Sequence, residues 1–312
     1  MSQQMSTTDF ELARTDPKLA NVLYHDWESE SYDDKWSISF DDRCISYAAG
    51  RFTRVAGQTQ SPYTSAMEIG CGTGFFALNL MQAGIIDSCV LTDISPGMVA
   101  VATRQGLELG LDVEGRVADA ERLPSEDNQC DLVIGHAVLH HIPDVEQALR
   151  EALRVLRPGG RFVFCGEPTA RGDVVARALS RLTWWTTTRV TQWEMFRDRW
   201  AKPPVELQAS SQAAALESLV DIHTFDPDTL ARTALRAGAV DVTTVTEELT
   251  ASWFGWPVRT FEAAVKPGVL GWPWANFAYR TWQRLTWLDE TVMERIVPDE
   301  LFYNVCITGV KP

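Results

Sequence analysis

The tightest constraint on this chain is the stretch Met67-Glu68-Ile69-Gly70-Cys71-Gly72-Thr73-Gly74-Phe75-Phe76. Ala66 to Ile69 is a short apolar run that reads as a buried strand, and Phe75 to Met81 reads as a helix. Glycines at a strand-to-helix turn permit positive φ and let a ligand come close to the backbone. The start of the helix behind them offers unpaired N–H groups to an anionic group. The next predicted strand, Ser88 to Thr92, runs into Asp93, whose carboxylate can accept both hydroxyl hydrogens of a ribose. Together these features make a nucleoside site. A dinucleotide site would call for G-x-G-x-x-G, with room for a pyrophosphate, and the G-x-G-x-G spacing found here counts against one.

With Glu68 two residues before Gly70, the pattern resembles motif I of the class I S-adenosylmethionine-dependent methyltransferases. Asp93-Ile94-Ser95-Pro96-Gly97-Met98 resembles that family's ribose-binding segment, and Ala118 to Pro124 its adenine-side segment. Asp131 to Asp144 and Leu156 to Cys165 resemble its fourth and fifth strand regions, so the likeness runs in order from about residue 60 to 168. It implies a doubly wound, Rossmann-like α/β fold with a seven-stranded sheet whose last strand is antiparallel. It also implies S-adenosylmethionine as cofactor, contacted by Glu68, Gly70, Cys71, Gly72, Gly74, Asp93, Ile94, Met98, Asp119, Ala120 and His136. Cys71 reads as a small space-filler in the turn, not as a nucleophile.

Composition narrows the partners. A net charge of −14 argues against nucleic acid, whose binding needs clustered Lys and Arg. No apolar run reaches membrane-spanning length, and the polar start lacks a signal-peptide core. The six cysteines are scattered with no C-x-x-C pair, which suggests reduced thiols in a cytoplasmic protein and no metal site.

Residues 1–16 read as disordered or loosely held, and residues 1–58 as a helical N-terminal lid. In it Tyr24, Tyr32 and Trp36 are candidate acceptor contacts, and Tyr32 and Trp36 share a face if the segment is helical. Residues 59–167, 223–248 and 302–312 form the expected cofactor-binding domain. Within it Ser95, Asp144 and Asp226 are predicted helix caps. His140 and His141, in the segment after the fourth strand, are the candidate general bases, since a neutral imidazole can take a proton from a hydroxyl.

Residues 168–222 and 249–301 exceed the minimal fold and read as helical, aromatic-rich cap insertions. They carry Trp184, Trp185, Trp193, Trp200, Trp253, Trp256, Trp272, Trp274, Trp282 and Trp287. Much of this set is expected to form the insertions' own core. Trp184, Trp185, Trp253 and Trp256 are the candidates for walls of a pocket that takes a bulky apolar acceptor.

The segment Gly135-His136-Ala137-Val138 stands where amino-directed macromolecule methyltransferases resemble Asn/Asp-Pro-Pro-Tyr/Phe, which points to a small-molecule acceptor. In-line transfer of a methyl group to an oxygen of a hydrophobic metabolite or lipid is the favoured expectation. N- or C-methylation, or S-adenosylmethionine binding without catalysis, stand as alternatives, and a homodimer is compatible with the Trp-rich insertions.

Overall fold

The computed structural model describes residues 15–208 and 220–312. Residues 1–14 of the expected loose start and 209–219 of the first expected insertion lie outside the described residues.

Seven strands form one sheet: β1 (Ala66–Ile69), β2 (Ser88–Asp93), β3 (Asp112–Val117), β4 (Cys130–His136), β5 (Leu156–Pro168), β6 (Val240–Glu247) and β7 (Asn304–Val310). Their order is β3-β2-β1-β4-β5-β7-β6, and β7 is antiparallel. The four pairings among β3, β2, β1, β4 and β5 are parallel, with Met67 opposite Val90 on one side and Val133 on the other. All four residues of β1 are buried, as a strand covered on both faces must be. The chain reverses direction across the sheet between β1 and β4, and ligands of such sheets bind outside the carboxyl ends of the strands at that switch point.

Helices α1 (Pro17–Glu28), α2 (Tyr32–Trp36) and α3 (Asp42–Ala56) precede β1. Asp16 and Asp41 cap α1 and α3 by accepting from backbone N–H groups, and Pro17 opens α1 where its missing N–H costs nothing. Helix α4 (Phe75–Gln82) follows the glycine turn, and α5 (Pro96–Glu108) follows β2 with Ser95 as its cap, accepting from Met98 N. Asp144 caps α6 (Val145–Val155), and Asp226 caps α9 (Pro227–Ala237), which ends on Gly238 at φ 109°. A sequence reading extends α6 to Pro158-Gly159-Gly160. Instead it stops at Val155, because Leu156 already pairs with Cys130 as the first residue of β5.

The chain divides into two compact units. The first runs to Glu167 and adds the segments up to Val245 and from Cys306. It therefore includes the N-terminal helices and the segment Val220–Ile222, which a sequence reading assigns to the insertion. Its core joins Leu91, Leu132, Ile134 and Val163 of the sheet with Leu78 of α4 and Phe52 of α3, all fully buried. Each such side chain contributes about 1.5–3 kcal/mol relative to exposure.

The second unit is helical, with α7 (Ala170–Val190), α8 (Glu194–Trp200), α10 (Thr250–Ala264) and α11 (Trp272–Thr291). Helix α10 packs against both α7 and α11. Asp289 of α11, 1% exposed, accepts from the N–H groups of Leu249, Thr250 and Ala251 and so caps α10. Aromatic contacts knit the unit, with ring centroids 5.1 Å apart for Phe261 and Trp274 and 5.4 Å for Trp256 and Tyr303. Trp184, Trp200, Trp256, Trp274 and Trp282 are half-buried, whereas Trp185, Trp193, Trp253, Trp272 and Trp287 are exposed.

Candidate active site

The glycine turn has the conformation that its residues predict. Gly70, Gly72 and Gly74 lie at φ 64°, 50° and 92°, where a side chain is strained. A Cβ on Gly70 would stand 2.1 Å from Val138 Cγ2, so the turn closes against the loop after β4. A Cβ on Gly72 would meet nothing within 4 Å, which leaves open space above the turn for a ligand. Cys71 is buried and its N–H donates to Thr92 O at 2.9 Å, tying the turn to the end of β2.

Asp93 sits at that end. Its Oδ2 accepts from Gly72 N and its Oδ1 from Ser95 N, both at 2.9 Å. Each carboxylate oxygen has a further lone pair, so two more donors can be taken. Burial pushes the Asp93 carboxyl up to about 6. Glu68 is 1% exposed, and its Oε2 accepts from Ala77 N at 3.4 Å, so it braces the turn from inside the protein. Met98 is fully buried and Ile94 half-buried beside Asp93.

Asp119 and Ala120 follow β3 and are half-buried. The Asp119 carboxylate is shared by Glu121 N at 2.9 Å and Lys18 Nζ at 2.6 Å, and Lys18 also reaches Glu121 Oε2 at 2.6 Å. Asp26 of α1 accepts from Ser95 Oγ and from Gly97 N, while Asp33 accepts from Thr73 Oγ1 and from Gln105 Nε2. Sequence reading missed Lys18, Asp26 and Asp33. Their partners lie tens of residues away, so nothing local distinguishes them from other surface charges.

The N-terminal aromatics gather around one histidine. His25 makes edge-on ring contacts with Tyr24 at 5.0 Å, Tyr32 at 6.1 Å and His141 at 5.4 Å. Tyr32 and Trp36 lie on one helix face with ring centroids 6.1 Å apart. Lys35 Nζ donates to Tyr24 Oη and pairs with Glu28, both at 2.8 Å. Burial lowers His25 to about 4, so it is neutral.

At the end of β4 and just beyond it the three remaining site histidines have different surroundings. His136 Nε2 lies 3.1 Å from Arg51 Nη1, between the rings of Phe75 and Phe76. A guanidinium only donates, so Nε2 is the acceptor and the proton is on Nδ1. Burial, with the Arg51 charge, holds His136 well below the usual histidine range. His141 Nδ1 faces Val220 O at 2.9 Å and is likewise held down by burial and by the neighbouring His140 and His25.

His140 is the exception. Its Nδ1 lies 2.8 Å from Glu167 Oε2, and its Nε2 lies 3.7 Å from Asp221 Oδ1. Glu167, the next-to-last residue of β5, is fully buried and also accepts from the N–H groups of Val138, Leu139 and His140. Those three N–H groups open the 3-10 turn Leu139–His141 and would otherwise be orphaned. One carboxylate thus shapes the turn and fixes the imidazole with its proton on Nδ1. Ile222 N and His223 N both donate to His140 O at 3.1 Å, which brings Asp221 over the ring. His140, His141 and Asp221 each offer a ligand atom within 4.8 Å of one another, a grouping that a cysteine-based search for metal sites does not find. Trp184, Trp185, Trp253 and Trp256 lie in the second unit.

The donor set fits an adenosyl ligand. Gly72 is open, Asp93 has acceptor capacity at the end of β2, and Asp119 stands at the end of β3. Comparison with known proteins agrees. Residues 67–164 match a family model described as a methyltransferase domain. An uncharacterized 37.1 kDa transposon protein of Streptomyces fradiae is 43% identical over 108 residues, 34% of this chain and 31% of that one. The ubiquinone/menaquinone biosynthesis C-methyltransferase UbiE of Brucella abortus is 33% identical over 108 residues, 34% of this chain and 40% of that protein. The chain thus spans well under half the length of these curated relatives. Among solved structures, a Haemonchus contortus phosphoethanolamine N-methyltransferase 2 in complex with S-adenosyl-L-methionine superposes with a TM-score of 0.53. The identity is 15%, over 93% of this chain and 60% of that one, a likeness of fold.

Proposed function

Because residues 67–164 of this chain form a domain of the class I S-adenosylmethionine-dependent methyltransferase family, we propose that the protein transfers a methyl group to a small hydrophobic acceptor through a hydroxyl oxygen. The observation that carries the reading is His140, held by Glu167 through Nδ1 at 2.8 Å with Nε2 3.7 Å from Asp221 Oδ1. S-adenosylmethionine, when bound, supplies a methyl group already made electrophilic by its sulfonium. Gly70 and Gly72 would admit the ligand to the backbone, Asp93 would accept the ribose hydroxyls, and Asp119 would accept from the adenine amine. His136, neutral and fixed by Arg51, would flank the methionine end.

His140 Nε2 would take the proton of the acceptor hydroxyl as its oxygen bonds to the methyl carbon and the S–CH₃ bond breaks. The carboxylates of Glu167 and Asp221 stabilise the resulting imidazolium, as a general base requires. Most of the remaining rate would come from alignment of the acceptor with the S–CH₃ bond. His141 has no buried carboxylate on its ring: its Nδ1 faces Val220 O at 2.9 Å and Asp221 Oδ1 at 3.6 Å, and it would shape the pocket. Tyr24, Tyr32 and Trp36, grouped around His25, would contact the acceptor. A soluble, cytoplasmic setting fits the absence of any helix long and apolar enough to cross a membrane among the described residues.

The relatives differ in the atom their names assign, carbon in one and nitrogen in another, so the oxygen preference rests on the base alone. A carbon or nitrogen acceptor is the second reading, and binding without turnover the third. The deciding experiment follows labelled methyl from S-adenosylmethionine into a pool of phenolic, amine and fatty-acid-like compounds, using wild type and His140→Gln. Labelled ether or ester that His140→Gln reduces by about a hundredfold or more is expected for loss of a general base. Labelled amine or C-methyl product, or undiminished O-methylation by His140→Gln, overturns the assignment.

A further inference from the structure

Helix α11 of the second unit carries an exposed face, on which Phe277 also meets the rings of Phe254 at 6.3 Å and Trp274 at 5.9 Å. Phe277, Arg280, Arg284 and Trp287 follow one another at spacings of three and four residues, which places them on one side of the helix. Phe277 is 55% exposed and Trp287 63%, and Trp272 at the start of the helix is 79% exposed. Arg280, Gln283, Arg284 and Trp287 line a shallow hollow. Arg280 and Arg284 have no ion-pair partner among the described residues. Asp289, the acid on α11 nearest this face apart from the exposed Glu290, is turned inward to cap α10.

Helix α7 of the same unit repeats the composition. Leu182 and Trp185 are exposed alongside Arg181, and Arg189 stacks over the Trp185 ring at 4.3 Å. Arg181 and Arg189 also lack ion-pair partners among the described residues.

This arrangement has a chemical meaning in a chain whose net charge is −14. Acidic groups are plentiful, yet these guanidinium groups are left unneutralised beside large exposed aromatics. An indole or phenyl ring sits favourably at the boundary between lipid headgroups and acyl chains, and a guanidinium beside it meets a phosphate. A protein partner or a second copy of this acidic chain also suits exposed aromatics beside arginines, and the vesicle experiment below separates that outcome from lipid. We infer that the Phe277–Arg280–Arg284–Trp287 face of α11 is a docking surface for an anionic phospholipid bilayer. The docking is peripheral, since no helix among the described residues is long and apolar enough to span. It stands independently of the methyltransferase reading.

The test is co-sedimentation of the full chain with vesicles of phosphatidylcholine alone and of phosphatidylcholine mixed with phosphatidylglycerol. Wild type is compared with the double variant Arg280→Gln/Arg284→Gln and with Trp287→Ala. Expected is binding to the mixed vesicles, weak or no binding to the neutral ones, and loss of binding as salt rises. The double variant should lose about 30-fold in partition coefficient at low salt, given what each basic group contributes near such a surface. All three changes are at exposed positions, so an unchanged melting temperature and S-adenosylhomocysteine affinity will show that fold and cofactor site are intact. No binding by wild type, equal binding to both vesicle types, or full retention by the double variant overturns the inference. So does a concentration-dependent dimer that the same substitutions dissociate while vesicles bind nothing.

Discussion

At the residue scale the site depends on a few carboxylates whose partners are backbone groups. Asp93 holds the glycine turn through Gly72 N and the start of α5 through Ser95 N, and burial raises its carboxyl to about 6. The proposed ribose contact needs the ionised form, which gives way to the protonated form as pH falls through that value. Calorimetry should therefore show affinity for S-adenosylhomocysteine roughly tenfold weaker at one unit below 6 than well above it. Asp93→Ala should abolish measurable binding; undiminished affinity in that variant would remove Asp93 from the site. In the proposed transfer Glu167 acts through His140. Its negative charge favours the imidazolium, so Glu167→Gln should shift the ascending limb of the pH–rate profile to lower pH. His140→Gln should flatten that limb altogether. A purely structural role for Glu167 would lower stability and leave the inflection where it was.

At the element scale, caps fix where helices begin. Ser95, Asp144 and Asp226 are legible because each stands at the head of a periodic run with its acceptor two or three residues from the N–H it receives. The cap of α10 is different, because Asp289 comes from α11 and accepts three backbone N–H groups near the start of α10. Removal of this carboxylate orphans buried donors, one of which, Leu249 N, lies in a residue that is 3% exposed. Asp289→Ala should destabilise the second unit by about 2–4 kcal/mol, read as a lower denaturant midpoint. An effect below about half a kcal/mol would mean that water replaces the cap. The boundary between α6 and β5 shows the opposite limit. Pro158-Gly159-Gly160 reads locally as the stop, but strand pairing claims the chain from Leu156 onward.

At the scale of the whole molecule, two units share one chain, and the proposed cofactor residues all belong to the first. A ligand that binds only the folded form stabilises it by about 2.7 kcal/mol at a hundred times its dissociation constant. S-adenosylhomocysteine at that excess should raise the first unit's unfolding temperature by several degrees. NADH at the same excess should leave it unchanged. A shift with NADH and none with S-adenosylhomocysteine would reverse the reading of the glycine spacing.

The sequence by itself determined the parallel part of the sheet, the glycine turn, the acids at the ends of β2 and β3, and the local caps. Each rests on contacts within a few residues, on a period of two or 3.6, or on a backbone conformation that only glycine adopts readily. The identity of the nucleoside came from the resemblance of Glu68 and the Gly70, Gly72 and Gly74 spacing to motif I of the methyltransferase family. Tertiary structure alone decided which histidine has a buried carboxylate behind it, because Glu167 reaches His140 from near the end of β5, while Asp221 comes within 3.7 Å of His140 and 3.6 Å of His141. It alone decided that Lys18, Asp26, Asp33 and Arg51 reach the site, and that Val220–Ile222 belongs with the first unit. Hydrogen bonds and ion pairs between distant residues leave no periodic trace in a sequence, since any surface helix carries similar charges. Only folding selects which of them meet.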